Sequence, residues 1–167
     1  MTDLIGVREF KISDLDDLEW FVANNDFSFF NDTSWTNHTD FFYNWINSLK
    51  TSKLKKSSIN YCVTYGDDFA GIIMFDSLKE FLGKGCEIGY IIDQEYRNKK
   101  IGQTSVQKGI LKFFSETEME YVLAKIKPQN IPSQKIAEKL GFKRSKIKDI
   151  YGNYNYELNK TSFYKHK

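Results

Sequence analysis

"EYRNKKIGQTSVQKGI", residues 95–110, decides how this chain is read. It follows the apolar run "CEIGYIID" (86–93), which has the β-branched and aromatic content of a strand. It then passes from a basic loop into a helix, from about 101 to 116, whose apolar set is Ile101, Val106, Ile110, Phe113 and Phe114. A strand, a short loop and a helix start in that order expose unpaired N–H groups and the positive end of the helix dipole. Arg97, Lys99 and Lys100 gather charge there, and Gly102 lets a bulky anion approach the backbone. The stretch reads either as a phosphate-binding helix start or as a solvated turn with a packing glycine. It is not a P-loop, which needs Gly-Lys followed by Ser or Thr, nor a dinucleotide fingerprint, which needs three spaced glycines and a later acid.

Working outward, "LIGVREF" (4–10) reads as a strand, and Ser13 as the N-cap of a helix carrying Leu15, Leu18, Phe21 and Val22. Residues 24–38 show no period and form an aromatic-rich connection; Thr39 caps a second helix with Phe41, Phe42, Trp45, Ile46 and Leu49 on one stripe. A basic run (50–58) links it to a hairpin, "INYCVTYG" (59–66) and "FAGIIMFD" (69–76), turning across Gly66-Asp67-Asp68. After the central strand and helix come a strand at 120–127, a helix at 132–140 stopped by Gly141, and a hairpin over 142–165 turning at Gly152-Asn153. The order β-α-α-β-β-β-α-β-α-β-β predicts an α/β (α+β) fold, a mixed sheet with helices on both faces, in one domain over residues 1–167.

Composition narrows the function. Among 167 residues, 24 basic against 22 acidic side chains give a formal charge of +2, so no general field marks a nucleic-acid or membrane-surface protein. Cys62 and Cys86, both in apolar runs, read as reduced core residues, and His38 and His166 are isolated, so no metal is assigned. The N-terminus lacks a signal pattern and no run approaches a membrane span, which predicts a soluble cytoplasmic protein with neither nucleic acid nor membrane as partner.

"RNKKIG" (97–102) resembles the cofactor motif of the GCN5-related N-acetyltransferase family, Arg/Gln-x-x-Gly-x-Gly/Ala after a bulged strand, in its Arg and its last Gly. "NIPSQKIAEKLGF" (130–142) is similar to the next block of that family, and "IGYIIDQEYR" (88–97) to its central strand and loop. The spacing looks most like the branch that acetylates protein N-termini of the ribosomal-protein type, with the spermidine branch close behind. Two positions depart from the pattern: Lys100 stands at the first glycine, and Ala137 where many members carry a tyrosine that protonates the leaving thiolate.

The resemblance implies a single-domain fold with a central mixed, mostly antiparallel twisted sheet, and acetyl-CoA as cosubstrate. An amine, small molecule or protein N-terminus, would attack the thioester directly in a ternary complex; a homodimer is allowed. The implied cofactor residues are Arg97, Asn98, Lys99, Lys100, Ile101, Gly102 and Gln103 at the pyrophosphate, with Asn130 on the pantetheine, Ser133 near the sulfur or the adenine, and the N–H of Ile92 on the thioester oxygen. Asn130 can also be read as a plain helix cap before Pro132, a role compatible with a cofactor contact.

A thiol ionises near 8.5 while a lysine-like amine stays protonated until about 10.4, so a base is needed more than an acid. Glu87 is the candidate base, against its simpler reading as a strand carboxylate paired with a lysine. Tyr90, Tyr151 and Tyr154 are either donors to the thiolate or packing residues, and Asp32, Asp40, Asp149 and Glu157 are acids for a cationic acceptor. Two rivals keep other functions open: a non-catalytic acyl-CoA sensor, suggested by Lys100 and Ala137, and a basic nucleic-acid-binding module using "KTSKLKK" and "KRSKIK".

Overall fold

The computed structural model describes residues 4–26, 58–76 and 84–165. Residues 27–38 of the expected aromatic connection, the helix capped by Thr39, the basic run up to residue 57, and Asp32, Asp40, His38 and His166 lie outside the described residues.

Among the described residues, seven strands form one sheet in the order β1-β2-β3-β4-β5-β7-β6: β1 Ile5–Glu9, β2 Ile59–Tyr65, β3 Asp68–Asp76, β4 Gly85–Ile92, β5 Tyr121–Ile126, β6 Lys143–Lys148 and β7 Tyr154–Asn159. Every neighbouring pair is antiparallel except β4 with β5. The helices are α1 Leu15–Asn24, α2 Ile101–Glu116, α3 Ile131–Lys139 and α4 Lys160–Lys165. The expected mixed sheet is present, and the described helices flank it on both faces. α1 brings Leu18 and Phe21 onto Ile72, Met74 and Ile91, while α2 brings Val106, Ile110 and Phe113 onto Ile73, Phe75 and Ile92. Because β3 is buried on both faces, its run from Ala70 to Phe75 is continuously apolar rather than alternating.

Two expectations are corrected. Ser13 does not cap the first helix. Asp14 stands at the helix start but forms no side-chain cap, because its carboxylate is taken by Arg8 through two hydrogen bonds of 2.7 and 2.8 Å and by the Lys11 amide at 2.7 Å. Burial works against ionisation of this carboxyl, but these donors outweigh it and hold it below the usual carboxylate range. The last hairpin ends at Asn159 rather than 165. Lys160–Lys165 turns back as α4 so that Phe163 can bury against Phe114, with ring centroids 5.9 Å apart. Cys62 and Cys86 are both buried free thiols, and burial pushes Cys62 up to about 12.

Candidate active site

β4 and β5 pair in parallel only over Gly85↔Tyr121, Cys86↔Val122 and Glu87↔Leu123, although β4 continues to Ile92 and β5 to Ile126. The sheet therefore opens into a wedge beyond Glu87. Each side is held away from the other by its own partner. β5 follows β7 along its whole length, and β4 follows β3. At the open end Gly71 of β3 presses on β4; a Cβ there would stand 2.3 Å from the carbonyl oxygen of Ile91, so no other residue fits without a shift.

The alternation of the ladder fixes the direction of the Ile92 backbone. The N–H of Asp93 donates to the Ala70 carbonyl at 2.9 Å, which makes that a hydrogen-bonded pair. The preceding pair, Ile92 with Gly71, is then of the non-bonded type, and the N–H and C=O of Ile92 point away from β3, toward the wedge. Arg97 takes the carbonyl through Nε at 2.8 Å, and its Nη2 donates to Asn25 Oδ1 at 3.3 Å. Asn25 in turn donates to Asp93 at 2.8 Å, while the other oxygen of Asp93 accepts from the Glu95 N–H at 2.9 Å. The motif arginine is thus folded back onto β4 and the end of α1. Asn25 was not singled out in the sequence, since a contact across 68 residues leaves no local trace.

Asn98 and Lys100 both adopt the left-handed conformation, at φ 62° and 61°. Lys100 is the N-cap of α2 but makes no side-chain cap, and the first turn carries no acid. The first helical bond runs from the Thr104 N–H to the Lys100 carbonyl at 3.1 Å, so the N–H groups of Ile101, Gly102 and Gln103 stand ahead of it. A left-handed residue followed by helical ones turns successive N–H groups toward a common point, an anion-binding concavity. A Cβ on Gly102 would lie 3.4 Å from Ile136 Cδ1 and 3.6 Å from Ile92 Cγ1, so this glycine faces the junction of α2, α3 and β4. Lys99 places its ammonium 5.8 Å from the Tyr96 ring centroid.

Across the wedge, Asn130 caps α3 by accepting the Ser133 N–H at 3.3 Å, and Gln134 ties α3 to the end of β5 through the carbonyls of Lys127 and Pro128 at 3.2 and 2.8 Å. Ala137 is buried one turn beyond Ser133. Tyr90, two residues before Ile92 and on the same face of β4, is half-buried, and its hydroxyl is buried without a hydrogen-bond partner; burial pushes it up to about 12, with Ser133 acting in the opposite direction.

The other singled-out residues lie apart from this group. Glu87 sits at the narrow end of the wedge, its Oε2 2.7 Å from Lys125 Nζ, about 16 Å along the strand from Ile92. Its cross-strand neighbour Asp76 is pushed up to about 6, by burial first and by the charge of Glu87 second. Asp149 is occupied by its own turn, accepting from the amides of Tyr151 and Asn153 and from Asn153 Nδ2 at 2.8–2.9 Å. Tyr154 lies under Arg144 and Lys148, Tyr151 is half-exposed, and Glu157 stands exposed on β7 opposite Lys143.

A wedge between two central strands, opening beside an uncapped helix start, defines a class of acyl-transfer fold. The family model of the acetyltransferase (GNAT) domain matches residues 5–143, and the chain belongs to this family. A curated relative, the uncharacterized N-acetyltransferase YnaD of Bacillus subtilis, is 31% identical over 78 residues, which is 47% of this chain and 45% of that protein. The match therefore spans about half the length of the relative. Solved structures share the fold. The ribosomal L7/L12 alpha-N-protein acetyltransferase RimL in complex with coenzyme A superposes with a TM-score of 0.76 at 16% identity, covering 93% of this chain and 94% of that one. Spermidine N-acetyltransferase from Vibrio cholerae, in complex with CoA and spermine, gives 0.77 at 13% identity, covering 97% and 99%.

Proposed function

We propose that the chain is a single N-acetyltransferase domain, residues 1–167, that moves an acetyl group from acetyl-CoA to a primary amine by direct attack in a ternary complex. The observation that carries this reading is the wedge beyond Glu87 opening next to the unpaired N–H groups of Ile101, Gly102 and Gln103. The pyrophosphate lies on those amides, in a concavity shaped by the left-handed Lys100 and flanked by the cations of Lys99 and Lys100. Arg97 contributes by fixing β4 against this loop rather than by reaching the phosphate.

Two amide units and their methylene links separate the sulfur of CoA from its pyrophosphate. Ile92 lies against Gly102, beside the pyrophosphate amides, so in this reading its N–H serves the arm of the cofactor instead of the thioester oxygen that the resemblance implied, and the thioester lies deeper in the wedge, toward Tyr90 of β4 and Ser133 of α3. Asn130, whose Oδ1 serves the cap, keeps its amide hydrogens for a carbonyl of the arm. Glu87, about 10 Å down β4 from Tyr90 and held by its pair with Lys125, takes the proton of the attacking ammonium through a relay of several waters.

A thermal-shift series tests the cofactor. Acetyl-CoA and CoA should both raise the melting temperature, because a ligand bound only by the folded state stabilises it by mass action. Pantetheine without phosphate should do little; a shift as large as that given by CoA refutes the phosphate assignment. Glu87→Gln should lower kcat about 10²- to 10⁴-fold with the Kd for acetyl-CoA unchanged. Wild-type kcat in that variant would leave solvent as the proton acceptor.

The acceptor divides between a protein N-terminus, as for RimL, and a polyamine, as for the spermidine enzyme, and an acetyl-transfer screen with peptides and polyamines separates them. A second reading, a non-catalytic acyl-CoA sensor, draws on Ala137, buried where many members carry a tyrosine. Release of free thiol with any amine of the panel excludes it.

A further inference from the structure

The edge strand β6 and the turn after it carry charge and apolar surface that the reading above does not use. Residues 135–148, "KIAEKLGFKRSKIK", hold six bases against one acid, a net +5 in a chain whose total is +2, so all the other residues together sum to −3. Strand β6 is exposed along its whole length. Arg144 and Lys148 lie over the Tyr154 ring, 4.7 and 4.8 Å from its centroid, which sets where their charge is presented. Between them the ladder steps from Arg144↔Tyr156 to Lys148↔Tyr154, so Ser145, Lys146 and Ile147 bulge out of register, and the Ser145 hydroxyl accepts the Ile147 N–H at 3.1 Å. Among the described residues, no carboxylate comes within ion-pairing distance of Arg144, Lys146 or Lys148.

A bulged, lysine-rich edge is by itself the ordinary guard against strand-to-strand aggregation. The isoleucines beside it are not: Ile147 is 76% exposed and Ile150 91%. Apolar groups at an edge add to the hazard that lysines reduce, so a guard does not account for them. The surface also has a definite place. Lys148 pairs with Tyr154, and Tyr154 with Ile126 at the end of β5, so the turn at 149–153 stands at the open end of the wedge. Two strand spacings and half of the gap between β4 and β5 separate β6 from the middle of the wedge by about 12 Å, the reach of about four extended residues.

We propose that β6 and its turn are a docking surface for an acidic, partly apolar segment of a protein acceptor, which lies there from about its fifth residue onward while its N-terminal amine enters the wedge. The inference rests on the acetyl-transfer reading and deepens it by choosing between the acceptors which that reading leaves open. Carboxylates of the segment complement the cations, and its apolar side chains cover Ile147 and Ile150. A polyamine is repelled by the same cations. A second copy of this chain fits poorly, since edge-to-edge pairing sets lysine against lysine. Nucleic acid would meet the cations and leave the two isoleucines uncovered.

The test follows acetyl transfer at saturating acetyl-CoA to spermidine and to peptides with a common N-terminal half, whose second half alternates Leu with Glu or with Gln. KM for the Glu peptide should lie about tenfold below that for the Gln peptide, with kcat alike, and the difference should shrink as salt is added. Removing the second half should abolish it. Lys146→Glu should raise KM for the Glu peptide about fivefold and leave the Gln peptide unchanged, whereas Ile150→Ser should raise both about tenfold, since both carry the leucines. Melting temperature and the Kd for CoA should stay as in the wild type, because both side chains stand in solvent. A Glu peptide no better than the Gln peptide or than spermidine overturns the proposal, as does an advantage that Lys146→Glu leaves intact. An RNA oligonucleotide that displaces the Glu peptide overturns it in favour of nucleic acid, and a dimer in sedimentation that Ile150→Ser breaks overturns it in favour of a second copy. If no amine is acetylated, the acetyl-transfer reading fails; fluorescence anisotropy of the labelled Glu peptide then reads the docking surface alone, where binding lost in Lys146→Glu sustains it and no binding overturns it.

Discussion

At the scale of single residues, three side chains sit in conditions that their types do not favour. Lys100 holds the left-handed conformation that glycine adopts freely, at φ 61°. The strain on a residue with a Cβ is about 1–2 kcal/mol, partly offset by the larger unfolded-state entropy of glycine. Lys100→Gly should therefore raise stability by about 0.5–1 kcal/mol in urea unfolding and retain CoA binding, because the backbone amides form the concavity. Asp76 and Asp14 are displaced in opposite directions. Burial raises Asp76 to about 6, so the native state binds its proton more tightly than the unfolded chain; stability from this group is present at low pH and is lost as pH rises from about 4 to about 6. Asp76→Asn should remove that loss, adding about 1–2 kcal/mol at neutral pH and nothing at pH 4. Asp14 is held low by Arg8 and the Lys11 amide, so its contribution is present at neutral pH and is lost as the solution is acidified below the usual carboxylate range.

At the scale of elements, the end of β4 is shaped by two neighbours. Gly71 lets β3 approach the Ile91 carbonyl, and Gly71→Ala should push the strands apart. The expected cost is about 1–3 kcal/mol, with CoA affinity falling by more than the stability loss explains, since the Ile92 amide turns with the strand. Arg97 joins β4 to α1 by bonding the Ile92 carbonyl and Asn25. Arg97→Lys keeps the charge but not the two-ended donor, so it should weaken CoA binding through the displaced loop, by about tenfold in calorimetric titration. If Arg97 served only as a phosphate counter-charge, the lysine variant would bind CoA as the wild type does.

At the scale of the whole molecule, among the described residues, strands β1–β4 join β5–β7–β6 through three parallel strand pairs and the Glu87–Lys125 ion pair, while α2 and α3 border the wedge above them. A ligand spanning both walls should tie the two parts together. Hydrogen exchange should slow on CoA binding at Ile88–Ile92 and at Ile101–Gln103, and stay unchanged in the β1–β2 and β2–β3 ladders, which lie away from the wedge. Uniform slowing across the sheet would mean global stabilisation without a spanning contact.

What the sequence determined by itself is local. Helical spacing placed α2 at 101–116, continuous or β-rich apolar runs placed β2 to β5 to within a residue or so, and the Asn-x-x-Ser pattern placed the start of α3. The basic loop before Gly102 pointed to a helix start suited to an anion because such a site is built from consecutive backbone amides. The tertiary structure decided everything that joins distant segments. It turned Arg97 onto Ile92 and Asn25 and gave Glu87 to Lys125. It left the start of α1 without a side-chain cap, because Arg8 of β1 and the Lys11 amide take up the Asp14 carboxylate. It also closed the last hairpin early so that Phe163 could reach the core. Propensity and periodicity act within a few residues, whereas charge pairing, burial and the depth of a wedge depend on which walls the fold brings together.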